Sequence, residues 1–231
     1  MAQDIIDNHR VRLVDRVGDL LQAGATRARF AVGYLFLDGL IPLRPQIARL
    51  DEICFLIGNV VNRVTPQQIR DEAELRTRGG EEWVSDQADV ASTLRIQHDV
   101  FAVETALNLR ETIASIPRTP DTRALLLTLA GRIAEGSLKV RLYPNGRIHA
   151  KAALLTYPPG HADAPGVAVI GSSNLTLASR PQATEMNVIV RSPESLCDLD
   201  QWYTKIWDQG QDFHRELFDE LGQSWAMDET N

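Results

Sequence analysis

Cysteine is nearly absent from this 231-residue chain, and the two present are far apart. Cys54 lies in the apolar run ICFLIG and Cys197 in a helical pattern, with no C-x-x-C spacing, so both read as packed thiols and not as a zinc ribbon or redox pair. The five histidines are scattered, no HExxH occurs, and no obvious carboxylate cluster of the two-metal nuclease kind is seen. No metal and no cofactor is expected. A membrane-spanning run is also lacking: the longest apolar stretch, AVGYLFLDGLIPL from Ala31, is broken by Asp38 and followed by Arg44. The N-terminus, MAQDIIDNHR, carries acid where a secretory signal has a basic start and an apolar run, so the reading is a cytoplasmic protein. Aromatics make up only 6% of the residues, and Trp202, Trp207, Phe213 and Phe218 suit helix packing better than base stacking. Internal repeats and low-complexity segments are absent, so a two-part site would not arise by duplication within the chain.

What is present is ordinary for one soluble α/β domain, with 44% hydrophobic and 24% charged residues. The net charge of −7 argues at first against nucleic acid, but it is unevenly placed. From residue 192 onward, ten Asp and Glu face only Lys205 and Arg215, whereas Ser137 to Lys151 carries Lys139, Arg141, Arg147 and Lys151 with no acid. A phosphate-bearing ligand near that segment is electrostatically reasonable, and a solvated basic hairpin is the plain alternative.

Residues 3 to 23 have apolar positions at helical spacing up to Gly24. Arg29 to Leu37 and Glu52 to Gly58 look like buried parallel strands, with a short crossover helix between them. Thr65-Pro66 opens a helix to about Arg78; a long helical region follows from about Glu82 to Ser115, and another from Thr119 or Asp121 to Glu135. From Leu138 the period becomes two: LKVRLYP, a turn at Asn145-Gly146, then RIHAKAALLTY, which together predict a hairpin. GVAVIGSS and EMNVIV supply two more strands, and a helix or helix pair closes the chain after Ser192-Pro193. The expected architecture is a mixed, mostly parallel sheet flanked by helices on both faces, in one domain over residues 1–231. A helical insertion is expected at about 65–135 and an acidic helical segment at about 193–231.

His149 and Lys151 alternate with Ile148, Ala150 and Ala152, so a regular strand points both polar side chains to one face, where they share a ligand. Gly171-Ser172-Ser173-Asn174 follows an apolar strand; its small residues let backbone approach an anion, and Ser172, Ser173 and Asn174 offer donors. Glu185 opens the next strand and could orient the imidazole by accepting its second N–H.

This set of residues resembles the phospholipase D superfamily, whose H-x-K motif is followed, after a strand, by G-S-x-N and then a Glu. The match is His149-Ala150-Lys151, Gly171-Ser172-Ser173-Asn174 and Glu185. FAVGYLFLDGL, LDEICFLIGN, HAKAALL, IGSSNLTL and ATEMNVIV follow in the order seen in phospholipase D-like domains associated with bacterial helicases and defence nucleases. The family motif usually continues to an Asp where this chain has Thr156. The resemblance implies His149, Lys151, Asn174 and Glu185 as catalytic residues, with Ser172, Ser173 and Arg147 binding substrate. It implies a metal-independent mechanism in which one His attacks phosphorus, a second His protonates the leaving alkoxide, and Lys and Asn hold the non-bridging oxygens. With one such motif per chain, the second half must come from a second copy across a two-fold interface. The implied partners are nucleic acid, a homodimer mate, and a helicase or other defence-system protein. A catalytically inactive module for dimerisation, nucleic-acid docking or helicase partnership is the alternative, and a lipid phosphodiesterase ranks below both for want of a basic amphipathic membrane helix.

Overall fold

A computed structural model of the chain describes residues 4–7, 10–58, 87–144, 148–176 and 185–228. The helix expected from Thr65 to Arg78 lies outside them, as do Asn145, Gly146 and Arg147. Eight strands, β1 (Ile5–Ile6), β2 (Arg27–Val32), β3 (Glu52–Ile57), β4 (Leu138–Leu142), β5 (Lys151–Thr156), β6 (Gly166–Gly171), β7 (Asn187–Val190) and β8 (Gln211–Asp212), form one sheet in the order β1-β7-β6-β5-β2-β3-β4-β8.

The helices are α1 (Leu13–Gln22), α2 (Leu37–Leu40), α3 (Arg44–Ile47), α4 (Gln87–Ser115), α5 (Pro120–Ala134), α6 (Pro193–Asp208) and α7 (His214–Gly222), followed by a 3-10 turn at Trp225–Met227. One face of the sheet carries the main core: Phe30, Phe55, Val140 and Val169 from the strands meet Val17 of α1, Leu126 of α5 and Leu221 of α7. The other face is smaller, with Ala31, Leu56 and Ala168 packed against Tyr203, Trp202 and Trp207 of α6. Helices therefore flank both faces, as expected. Local signals set several boundaries: Thr119 caps α5, its hydroxyl accepting from the Thr122 N–H at 3.1 Å, Pro120 opens it, and Gly136 at φ 74° ends it. Among the described residues, no helix is long and apolar enough to cross a membrane.

Four expectations need correction. The sheet is mixed, but only β2–β3 and β3–β4 are parallel, and the other five pairings are antiparallel. The two runs read as parallel strands, β2 and β3, do pair in parallel. The sheet is mostly antiparallel because β5, β6, β7 and the short edge strands β1 and β8 join it in alternating directions, which an apolar run covered on both faces does not reveal. The first helix begins at Leu13, while Ile5 and Ile6 pair with β7, one exposed (57%) and one buried (1%) in strand alternation. Cys54 is buried as expected, but Cys197 is exposed on α6. The fourth concerns the hairpin. β4 and β5 are separated in the sheet by β2 and β3, because the chain leaving β4 crosses over the carboxyl ends of both. The Tyr143 N–H donates to the Ile57 carbonyl at 2.8 Å, and the Ile148 N–H donates to the Gly58 carbonyl at 3.4 Å. Gly58 makes the crossing possible, since a Cβ there would lie 2.2 Å from Ile148 Cβ.

Candidate active site

The crossing delivers the polar motif to one end of the sheet. β2 and β3 run toward that end and β5 runs away from it, so the carboxyl ends of two parallel strands meet the start of an antiparallel one. Such a change of direction leaves a crevice outside the strand ends, the usual place for a ligand in an open α/β sheet. Across the neighbouring strands, Lys151 of β5 stands opposite Gly171 of β6, and Gly171 opposite Asn187 of β7. His149 precedes Lys151 by two residues, Ser173 follows Gly171 by two, and Glu185 precedes Asn187 by two. All three therefore leave the sheet at the same end, although they are spread over 37 positions of sequence.

His149 is not on the strand itself. β5 starts at Lys151, and residues 148–150 form the last part of the crossing segment, where the His149 side chain is exposed. The reason is again local: Ile148 is pinned over Gly58, so the chain reaches sheet register only at Lys151. Lys151 bends back, its ammonium donating to the His149 carbonyl at 2.9 Å. The two motif residues are thus tied through the backbone and not by the strand alternation expected from the sequence.

Asn174 comes close to Lys151 at a notch left by Gly33, the first residue after β2. A Cβ built on Gly33 would lie 3.5 Å from the Ile148 carbonyl oxygen, 3.9 Å from Asn174 Oδ1 and 4.0 Å from Lys151 Cε. Asn174 Oδ1 is buried and accepts no hydrogen bond from a described residue, which is costly unless a donor arrives. Below this notch an apolar cleft between α1 and the sheet, lined by Leu13, Val17, Phe30 and Leu175, carries Lys151, Ser173 and Asn187 as polar walls.

The turn Gly171-Ser172-Ser173-Asn174 is fastened on both sides. Ser172 N–H donates to the Met186 carbonyl and Met186 N–H donates to Ser172 Oγ, both at 3.2 Å. Downstream, the Asp38 carboxylate at the start of α2 accepts from the Gly39 N–H at 2.8 Å and the Thr176 hydroxyl at 3.1 Å. A Cβ at Gly39 would lie 2.2 Å from the Leu175 carbonyl oxygen, so α2 sits directly against the chain leaving Asn174. Sequence reasoning missed Gly33, Gly58, Asp38 and Asn187. Only Asn187 left a signal, an amide at the head of the apolar strand NVIV.

The basic segment from Ser137 to Lys151 is divided by the fold. Lys139 lies 2.6 Å from Glu52, and Arg141 lies 2.8 Å from Asp212 while its guanidinium stacks over Trp207 at 4.9 Å, both on the α6 side. These two cations are neutralised away from the notch, Lys151 remains at it, and Arg147 lies outside the described residues. Thr156, where the motif's Asp would stand, is at the far end of β5, five residues or about 17 Å from Lys151 at ~3.4 Å per residue. Among the described residues, no group of three or more His, Cys, Asp or Glu is placed to hold a metal ion.

Fold and site together define a mixed α/β protein with an imidazole, an ammonium and an amide-bearing turn gathered at the strand ends. The chain is similar in structure to a phospholipase D family member, Nuc from Salmonella typhimurium, with a TM-score of 0.48 and 13% identity over 90% of this chain and 95% of that one. No protein-family model matches the sequence, and no curated protein does.

Proposed function

We propose that the chain is a metal-independent phosphodiesterase, a nuclease acting on DNA through a phosphohistidine at a site completed by a second copy of the chain. The observation that supports this most is the convergence of His149, Lys151, the Gly171–Asn174 turn and Glu185 at one end of the sheet, a constellation assembled from the ends of three strands. In this reading a ring nitrogen of His149 attacks phosphorus and forms a P–N bond as the P–O bond to the leaving group breaks. His149 of the second copy gives its proton to the departing alkoxide. Water then attacks the phosphohistidine, returns a proton to the acid's imidazole and frees His149. Lys151 and the Ser172, Ser173 and Asn174 donors, with Arg147 as a further cation, hold the non-bridging oxygens as charge develops. Glu185 orients the attacking imidazole. Such a nuclease would serve DNA restriction or anti-phage defence beside a helicase partner.

The departure at Thr156 bears little on the chemistry, because that position is at the opposite end of β5. Pairing of Lys139 and Arg141 with carboxylates favours a second reading, a non-catalytic module for dimerisation, nucleic-acid docking or helicase partnership. One experiment separates the two: incubation of DNA with the protein in EDTA. The nuclease cuts under chelation and the His149→Asn variant does not. Salt-dependent DNA binding without turnover, unchanged in His149→Asn, establishes the module instead.

A further inference from the structure

We propose that Asn187 is a positioning residue for the phosphate-binding turn, holding Ser173, and through it Asn174, in the geometry that meets a non-bridging oxygen. The inference rests on the phosphodiesterase reading above and assigns the support that the reading needs.

Asn187 is 2% exposed and Ser173 1%. The Ser173 N–H donates to Asn187 Oδ1 at 3.2 Å, and Asn187 Nδ2 donates to Ser173 Oγ at 2.7 Å. The last backbone hydrogen bond between the chain leaving β6 and the chain entering β7 runs from the Ser172 N–H to the Met186 carbonyl at 3.2 Å, one residue beyond the Gly171–Asn187 pair. One step further on, where β6 must leave the sheet, the Asn187 amide takes over from the backbone ladder. It accepts the N–H that a continuing strand would have paired, and so lets the chain turn outward without leaving a buried donor unsatisfied. Gly171 is what admits this amide, since a Cβ there would lie 2.4 Å from Asn187 Oδ1. Ile189, two residues on and on the same face, is apolar and buried, as are Val169 and Ala153 beside it. A core position could be filled as well by an aliphatic side chain, and a buried amide costs more than it returns unless it is fully paired. Its placement here is explained by what it holds: the residue after Ser173 is Asn174, whose Oδ1 stands at the Gly33 notch near Lys151 and whose Nδ2 is the donor that would meet the phosphate oxygen.

The test uses the full chain, with inorganic phosphate as the probe, titrated calorimetrically at fixed ionic strength, and phosphodiester turnover measured in parallel. Asn187→Ala is expected to weaken phosphate binding at least tenfold and to lower kcat/KM by a similar or larger factor. Asn187→Leu, which keeps the branch at Cγ but is larger and cannot hydrogen-bond, should behave alike and serves if the alanine variant does not fold. The control is Tyr157→Phe, which removes the buried hydrogen bond from Tyr157 to the Leu20 carbonyl (2.7 Å) beyond the opposite end of β5. It should lower Tm while leaving phosphate affinity unchanged, because a dissociation constant does not report how much of the sample is folded. An unchanged phosphate Kd in a folded Asn187 variant overturns this inference and leaves the phosphodiesterase reading to stand or fall on His149→Asn. A wild-type chain that binds no phosphate overturns both.

Discussion

Replacing Gly58 by alanine tests whether the crossing segment is what aims His149. The added Cβ would lie 2.2 Å from Ile148 Cβ, 2.3 Å from its Cγ1 and 2.7 Å from its backbone nitrogen. Carbon atoms in contact settle at about 3.5–4.0 Å, so Ile148 must retreat by roughly 1.3 Å or more. Rotation of the Ile148 side chain gives no relief, because Cβ and the backbone nitrogen are among the atoms struck. Overpacking of this kind costs about 1–3 kcal/mol, which should leave the protein folded. The displacement passes directly to His149, the next residue, and a misplacement of ~1 Å at a reacting group lowers turnover about a hundredfold. Gly33→Ala is the matched comparison: its Cβ would meet nothing nearer than the 3.5 Å to the Ile148 carbonyl oxygen, so Tm should hardly move. DNA cleavage in EDTA together with thermal melting reads both variants. A folded Gly58→Ala protein with wild-type turnover would refute the argument that Gly58 and Ile148 set the position of His149.

Two further predictions concern groups away from the notch. Burial pushes the Cys54 thiol up to about 11, while Cys197 is exposed, so an alkylating reagent at pH 8 should modify one thiol per native chain and two after unfolding; equal rates at both in the native protein would contradict the packing described for β3. The hydrogen bond from the Lys139 ammonium holds the Glu52 carboxyl below the usual carboxylate range, and the same bond raises Lys139. A carboxyl depressed on folding stabilises above its unfolded value and loses that contribution as pH falls through its folded one. Glu52→Gln should therefore cost about 0.2–1 kcal/mol in urea denaturation at pH 7, a modest figure because the pair is partly solvated, and close to nothing at pH 3. A difference that persists or grows toward pH 3 would contradict the pairing.

The polar motif was legible because its parts are close in sequence to strand ends: the G-S-S-N turn directly follows an apolar run, and Glu185 precedes the next strand. Sheet register aligned Lys151 with Gly171 and Asn187, while His149, expected on the strand, stands ahead of β5, and Glu185, expected to open its strand, stands ahead of β7. The hairpin failed for a different reason. Period-two alternation and Asn-Gly are local signals, whereas the choice of partner strand depends on contacts distant in sequence, here Gly58 with Ile148 and Gly33 with Ile148, Lys151 and Asn174. A glycine that leaves space for a segment 90 residues later has no mark in its own neighbourhood. Ile5 and Ile6 likewise fit a helical period in the sequence but satisfy the edge of β7 instead. Asn187 was visible only as a polar residue in a strand, and its role emerges from the turn it faces across the sheet.

The central claim is that His149 is the nucleophile, and it is tested most directly by trapping. The wild-type protein is incubated in EDTA with DNA carrying labelled phosphate, denatured during turnover, and searched for covalently bound label. The account predicts a label that survives alkali, is released by acid, maps to the peptide containing His149, and is missing from His149→Asn. Cleavage that proceeds with no label on the protein, or that stops on chelation, would contradict it.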